Sequence, residues 1–314
     1  MKAIIQDRYG DAGVLRLAEI EEPAIGDDEV LVRVHAAGID RGAWHFMTGT
    51  PLIGRVGFGL RKPKTRVRGM ELSGRIERVG DGVTAYGKGD EVFGIGAGTF
   101  AELSRAKADK VVPKPAGVSH EEAAACPVSS VTALNAVRAG RIKPGQRVLI
   151  FGAAGGVGTF AVQLARHLGA EVTGVARPAK ADVVRGLGAQ LEVTGRYEVI
   201  IDTAGLRSVG ALRSLLTPKG TAVLVGGEGG GRIIMGLDRN MRAMIVSPFV
   251  GQRFAPILSI TKREDLDTIS GLLADGSIKP VLDRVVPLAE TPEALHYLAS
   301  GEVRGKVVVT VAAR

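Results

Sequence analysis

Cysteine is almost missing from this chain: Cys126 is the single one in 314 residues. That excludes a disulfide within the chain and a zinc site built on several thiolates. A reducing, cytoplasmic setting is the expectation. No run of about 18 uninterrupted apolar residues occurs. The opening MKAIIQDRYG lacks a long apolar stretch behind a basic start. Neither a membrane span nor a secretory signal is therefore expected. Aromatic residues are scarce (4%), with Trp44 the sole tryptophan. Histidines number five and show no paired metal-ligand spacing. No Ser-x-Gly elbow or Cys–His pair points to a hydrolase.

Glycine and positive charge are what the chain has in quantity, with 44 glycines and a formal net charge of +8. Part of the charge lies in GRVGFGLRKPKTRVRGM (54–70), which holds Arg55, Arg61, Lys62, Lys64, Arg66 and Arg68. Such a stretch is either a solvated loop or one facing an anion. It lacks the interleaved aromatics of a base-stacking surface, so nucleic acid is not the expected partner.

Two patterns follow one another along the chain. KAII, EVLVRVHAAGI, MELSGRIERVG and DEVFGIGAG read as short strands separated by turn clusters. From Ser119 the signal becomes helical, opened by a capping box of Ser119 and Glu122. QRVLIFG, EVTGVA, YEVIIDTAG and GTAVLVGG then alternate with helical segments, the pattern of a doubly wound parallel sheet. The expected division is a β-rich domain over 1–118, a dinucleotide-binding domain over 119–255 and a return over 256–314. The return holds two helices and ends in the strand GKVVVTV.

GAAGGVG (152–158) sits between the first of those strands and a helix. Aligned on its last glycine it places Gly155 where a backbone must approach a pyrophosphate. Gly158 falls where helix and strand must pack closely. The turn Ala154-Gly155-Gly156-Val157-Gly158 is thus a candidate phosphate cradle at a helix N-terminus. NAD sites place an acid at the end of the next strand, to accept from the ribose 2′-hydroxyl. Here that strand ends Gly174-Val175-Ala176 and is followed by Arg177 and Lys180. A guanidinium binds a 2′-phosphate where a carboxylate would repel it, so the expected cofactor is NADP(H).

GDGVTAYGKGDEVFG, VSSVTALNAV, FGAAGGVG, IDTAG and the terminal RGKVVVTV together resemble the medium-chain dehydrogenase/reductase superfamily. The zinc-independent quinone oxidoreductase branch is the nearest match. The resemblance implies an α/β protein, with a GroES-like catalytic domain formed by both chain ends and a Rossmann domain between them. It also implies a homodimer. By the same resemblance Thr132 would lie near the nicotinamide, and Gly155, Gly156 and Val157 would hold the pyrophosphate. Lys180 would meet the 2′-phosphate. Gly226, Gly227, Phe249 and Val250 would line the nicotinamide side, and Lys306 of the RGK motif would lie at the cofactor.

The chain departs from relatives in three places. Zinc-dependent members have Gly-His-Glu where this chain has Gly69-Met70-Glu71, so no metal is expected. GIDRGAWHFMTG (38–49) carries Asp40 and Ala43 where relatives often have asparagine and aspartate. Only QLEVTGR separates GLGA from YEVIID, so the third Rossmann strand should be short. Without a metal, a simple ketone would lack electrophilic help, whereas a quinone or an α,β-unsaturated carbonyl is already electrophilic. Asp40 and His45 are the candidate catalytic residues, with Trp44 and Phe249 lining a substrate pocket. Two other readings stay open: a 2-enoyl thioester reductase, and a catalytically weak NADPH-binding redox sensor or RNA-binding protein.

Overall fold

The computed structural model describes residues 1–227 and 231–311. They divide into two compact units: residues 1–50, 54–131 and 261–314 in one, residues 51–53 and 132–260 in the other. Among the described residues, no helix is long and apolar enough to cross a membrane.

The first unit is built on a seven-stranded sheet. Its order is Leu282–Pro287, Lys306–Thr310, Glu29–Ile39, Glu71–Val79, Glu91–Ile95, Val111–Pro113, with Leu103–Lys107 also pairing onto Glu29–Ile39. The last strand of the chain runs antiparallel to an early one, with Val307 opposite Ile39 and Val309 opposite Ala37. The alternation read in EVLVRVHAAGI has its reason here. Val30, Val32, Val34 and Ile39 point into a core with Leu72, Ile76, Val92, Phe100, Val307 and Val309. A small two-stranded ribbon, Lys2–Ile5 with Arg16–Glu19, packs at its side.

Residues 119–131 belong to this first unit, not to the Rossmann segment expected to start at 119. Ser119 Oγ accepts from Glu122 N at 3.1 Å, and Glu122 returns a carboxylate to Ser119 N, so the capping box is present. The helix it opens, His120–Ala124, is short and buries Ala123 and Ala124 against the sheet. A second helix, Pro127–Gly140, follows after a break at Cys126. Pro127 sets that break, because it has no N–H to give and disfavours helical backbone before it.

The second unit is a parallel sheet of five strands in the order Arg253–Pro256, Leu216–Leu224, Tyr197–Asp202, Arg147–Phe151, Glu171–Val175. The helix Gly156–His167 crosses from Arg147–Phe151 to Glu171–Val175, burying Phe160, Ala161, Val162 and Leu164. The expected third strand is reduced to one bridge, Thr173 to Gln190. Seven residues between Ala189 and Tyr197 leave no length for a strand and its turns.

Ser119→Ala should destabilise the protein by about 1 kcal/mol, the usual worth of an N-cap hydrogen bond. Chemical denaturation of the pair of proteins checks this, with an unchanged denaturant slope expected.

Candidate functional site

The chain turns at the end of the strand Arg147–Phe151 through Gly152, whose φ is +76°. The helix begins at Gly155, which is extended (φ −89°, ψ 174°) and gives no side-chain cap to the amides that follow. Those amides are the donors an anion would take. A Cβ at Gly158 would fall 2.0 Å from the carbonyl oxygen of Gly152, so only glycine permits this approach of helix to strand. Ala153 and Ala154 are buried beneath the turn.

No carboxylate stands at the end of the strand Glu171–Val175. Arg177 follows it in extended backbone with an exposed side chain, and Lys180 closes the single turn Pro178–Lys180, half-buried. At the other side of the glycine turn Asp202 is fully buried at the end of its strand. Its Oδ1 accepts from Gly205 N at 3.0 Å and its Oδ2 from Arg239 Nη1 at 2.5 Å. Arg239 Nη2 donates to the carbonyl of Gly226 at 2.6 Å. Arg239 thus pins the backbone of the Gly226-Gly227 turn, a role that nothing in the local sequence signals. Phe249 is 84% exposed, while the adjacent Val250 packs on the core of this unit. Thr132 is half-buried in the helix Pro127–Gly140.

In the first unit the candidate catalytic segment is the helix Arg41–Thr48. Asp40 is its N-cap, with Oδ1 accepting from Ala43 N at 2.9 Å. It is buried, and its Oδ2 has no hydrogen-bond partner among the described residues. One oxygen is therefore committed to a helix end, a structural duty that its reading as a candidate catalytic residue does not include. Trp44 packs one face against the sheet's core, and His45 is half-buried.

Lys306 requires a revision. It was expected at the cofactor, but only 2% of it is exposed. Its Nζ donates to Glu71 Oε2 at 2.5 Å and to Ser129 Oγ at 3.3 Å. Glu71 Oε1 accepts from Val128 N at 2.8 Å, holding the first turn of the helix that carries Thr132. Burial pushes the Glu71 carboxyl up to about 7; Lys306 opposes the shift, and the neighbouring Asp40 adds to it. Gly38 is the neighbour that makes room, since a Cβ there would fall 2.5 Å from Glu71 Oε2.

Glu71 follows Met70, the residue standing where zinc relatives have histidine. Among the described residues no group of three histidine, cysteine or acidic side chains is placed to hold a metal ion. Cys126 is fully buried, with Sγ donating to Glu122 O at 3.1 Å, and burial pushes its thiol well above the ordinary range. The basic stretch is not one uniform face. Arg66 pairs with Asp7 at 2.7 Å, Arg55 stacks 4.4 Å over the Tyr9 ring, and Arg68 is buried.

Comparison with known proteins meets this architecture from both ends. Residues 26–116 match the alcohol dehydrogenase GroES-like domain, and residues 168–309 match a zinc-binding dehydrogenase domain. The structure of the quinone oxidoreductase from Coxiella burnetii superposes with a TM-score of 0.84 at 26% identity, covering 99% of each chain. The chain belongs to the medium-chain dehydrogenase/reductase superfamily. This superfamily member is 29% identical to the mitochondrial NAD(P)H oxidoreductase RTN4IP1 of Mus musculus, over 99% of this chain and 89% of that protein. It is 35% identical to the polyketide synthase GfsB of Streptomyces halstedii over 79% of its own length, but spans only 5% of that synthase.

Lys306→Met leaves Glu71 buried without its counter-charge and should cost about 3–5 kcal/mol. The sign with pH follows from the raised pKa. Without Lys306 the carboxyl binds its proton more tightly when folded than the roughly 4.5 of an unfolded chain. The loss should therefore be smaller at pH 5, where Glu71 is neutral, than at pH 8. Glu71→Leu combined with Lys306→Met should recover most of it, and urea unfolding of the four proteins at both pH values checks the cycle.

Proposed function

We propose that the protein is a zinc-independent, NADPH-dependent oxidoreductase that transfers hydride to a quinone or an α,β-unsaturated carbonyl. The observation that carries this reading is the pairing of an uncapped glycine turn at a twelve-residue helix with an exposed arginine where an NAD site has an acid. The residues present fit a nicotinamide dinucleotide. The turn Ala154–Gly158 would hold the pyrophosphate through its amides. Arg177 and Lys180 would meet a 2′-phosphate, and Thr132, Gly226, Gly227 and Val250 would bound the nicotinamide. Lys306 is withdrawn from that set because its ammonium is committed to Glu71. When bound, the cofactor supplies the hydride.

The protein's own part is to bind, orient and exclude water. Among the described residues no donor set for a catalytic zinc is brought together: Met70 offers only a thioether and Cys126 lies buried with its proton retained. An acceptor that is already electrophilic needs no Lewis acid, which supports a quinone or an enone over a simple ketone. The names borne by two relatives, quinone oxidoreductase and NAD(P)H oxidoreductase, agree with this reading. His45 is the group retained as a proton donor to the reduced product. Asp40 is retained as the residue that holds the His45 helix by its cap. A homodimer is part of the proposal, on family resemblance.

Oxidation of NADPH and NADH at 340 nm against a naphthoquinone, a conjugated enal, a crotonyl thioester and a simple ketone tests this directly. Turnover of the quinone or enal with NADPH, unaffected by chelator, is the expected result. Arg177→Ala with Lys180→Ala should raise KM for NADPH by about tenfold or more while leaving that for NADH little changed. Equal affinity for both cofactors in the parent protein would sink the NADP assignment. Turnover of the thioester alone would replace the substrate class with enoyl thioesters.

A further inference from the structure

Arg68 is a buried cation without a counter-ion. Only 5% of it is exposed, and its sole side-chain hydrogen bond runs from Nη2 to Thr65 Oγ1 at 2.9 Å. Its Nε has no partner, and no carboxylate pairs with it among the described residues. Asp7, which meets the neighbouring Arg66, is exposed and already shared between Arg66 at 2.7 Å and Arg16 at 3.3 Å. Burial lowers the guanidinium only to about 10, so it stays charged at neutral pH.

Tyr9 lies within electrostatic reach of both Arg68 and Arg55. Arg55 lies 4.4 Å over the ring of Tyr9, with Nε donating to Gly49 O at 2.9 Å. Tyr9 donates its hydroxyl to Gly59 O at 2.7 Å, and burial raises its pKa, so the phenol is neutral. Gln6 follows the strand Lys2–Ile5, whose Ile5 bridges Val67, and Gln6 N bonds Arg66 O. Gln6 is fully buried, its Nε2 serves two carbonyls, and its Oε1 is left without a partner.

A buried charge left unpaired is strongly destabilising, whereas one met by an oxyanion is not. We propose that Arg68, flanked by Arg55 and Tyr9, is an oxyanion-binding site for a phosphate or carboxylate group. The guanidinium fork supplies the charge-assisted donors. The site is built wholly from residues of the first unit.

The test uses the whole protein without nicotinamide cofactor, so its outcome is independent of the hydride-transfer reading. Inorganic phosphate and, in a separate arm, acetate are titrated at constant ionic strength, while the unfolding midpoint and Trp44 fluorescence are followed. A saturable rise in Tm is expected, stronger with phosphate. Arg68→Met should unfold at the same or a higher temperature than the parent in anion-free buffer. Its apparent affinity for the anion should fall by about tenfold or more. Arg61→Gln, an exposed change in the same basic stretch, should leave affinity within about twofold. If Arg68→Met does not fold, Arg68→Lys keeps the charge without the fork and should show the same direction of loss. A response to acetate alone assigns the site to carboxylates. No saturable shift in either arm overturns the proposal, since an internal water then serves Arg68 Nε. A shift that the Arg68 variants retain overturns it too.

Discussion

One ion pair joins the two ends of the first unit. Glu71 and Lys306 lie 235 positions apart, and neither is appreciably exposed. Each charge is tolerable in that interior only because the other is there, so the terminal strand cannot leave without exposing the sheet to an unpaired carboxylate. The same carboxylate receives Val128 N and so fixes where the helix Pro127–Gly140 begins. Closing so long a loop carries an entropic cost that grows only slowly with length. The ladder of Lys306–Thr310 against Glu29–Ile39 and the burial of Val307, Val308 and Val309 offset it. The requirement extends to Gly38, because any side chain there would displace the carboxylate oxygen from its place.

The second unit rests on close approach of backbone to backbone. Gly158 lets a helix sit directly on the carbonyl of Gly152, and Gly174 on the adjoining strand leaves space that Ala153 and Val184 fill. Such contacts bring the helix N-terminus to the strand end, where its amides face outward. A buried acid then organises the neighbouring turn: Asp202 spends one oxygen on Gly205 N and the other on Arg239. Fixed dipoles and rigid turns of this kind are what positioning chemistry needs, since a site on mobile backbone would lose much of its orientation.

What the sequence disclosed was local. The capping box of Ser119 and Glu122 and the glycine turn are formed from residues a few positions apart, and the strand alternation of EVLVRVHAAGI is a repeat within one segment. What it hid was pairing across distance. Lys306 reads as a cofactor residue from its motif, and nothing near it in the chain names Glu71 as its partner. Arg239 lies in a polar helix with no pattern around it, yet it reaches Asp202 and Gly226. Asp40 reads as a candidate catalytic residue because its capping role shows only once the helix start is known. The lost third strand was half-legible: the short QLEVTGR showed the shortage of length but not that only the Thr173–Gln190 bridge would remain.

Charge shows the same division between count and placement. Six basic residues in 54–70 look like one field, but the fold separates them. Arg66 is neutralised by Asp7 at the surface, Arg55 is spread over a ring and two carbonyls, and Arg68 is enclosed. A strand of nucleic acid needs cations that line up in solvent, and this arrangement leaves Arg61, Lys62 and Lys64 as the exposed ones with no acid paired to them among the described residues. The same reasoning ranks the cations assigned to the cofactor. A 2′-phosphate can be met only by a group whose charge is not already consumed and whose head it can reach. Arg177 stands exposed where the strand ends, while Lys306 is consumed by Glu71. A preference for a phosphorylated ribose, as proposed, would therefore come from the turn after Val175, and the terminal RGK motif reads as part of the scaffold.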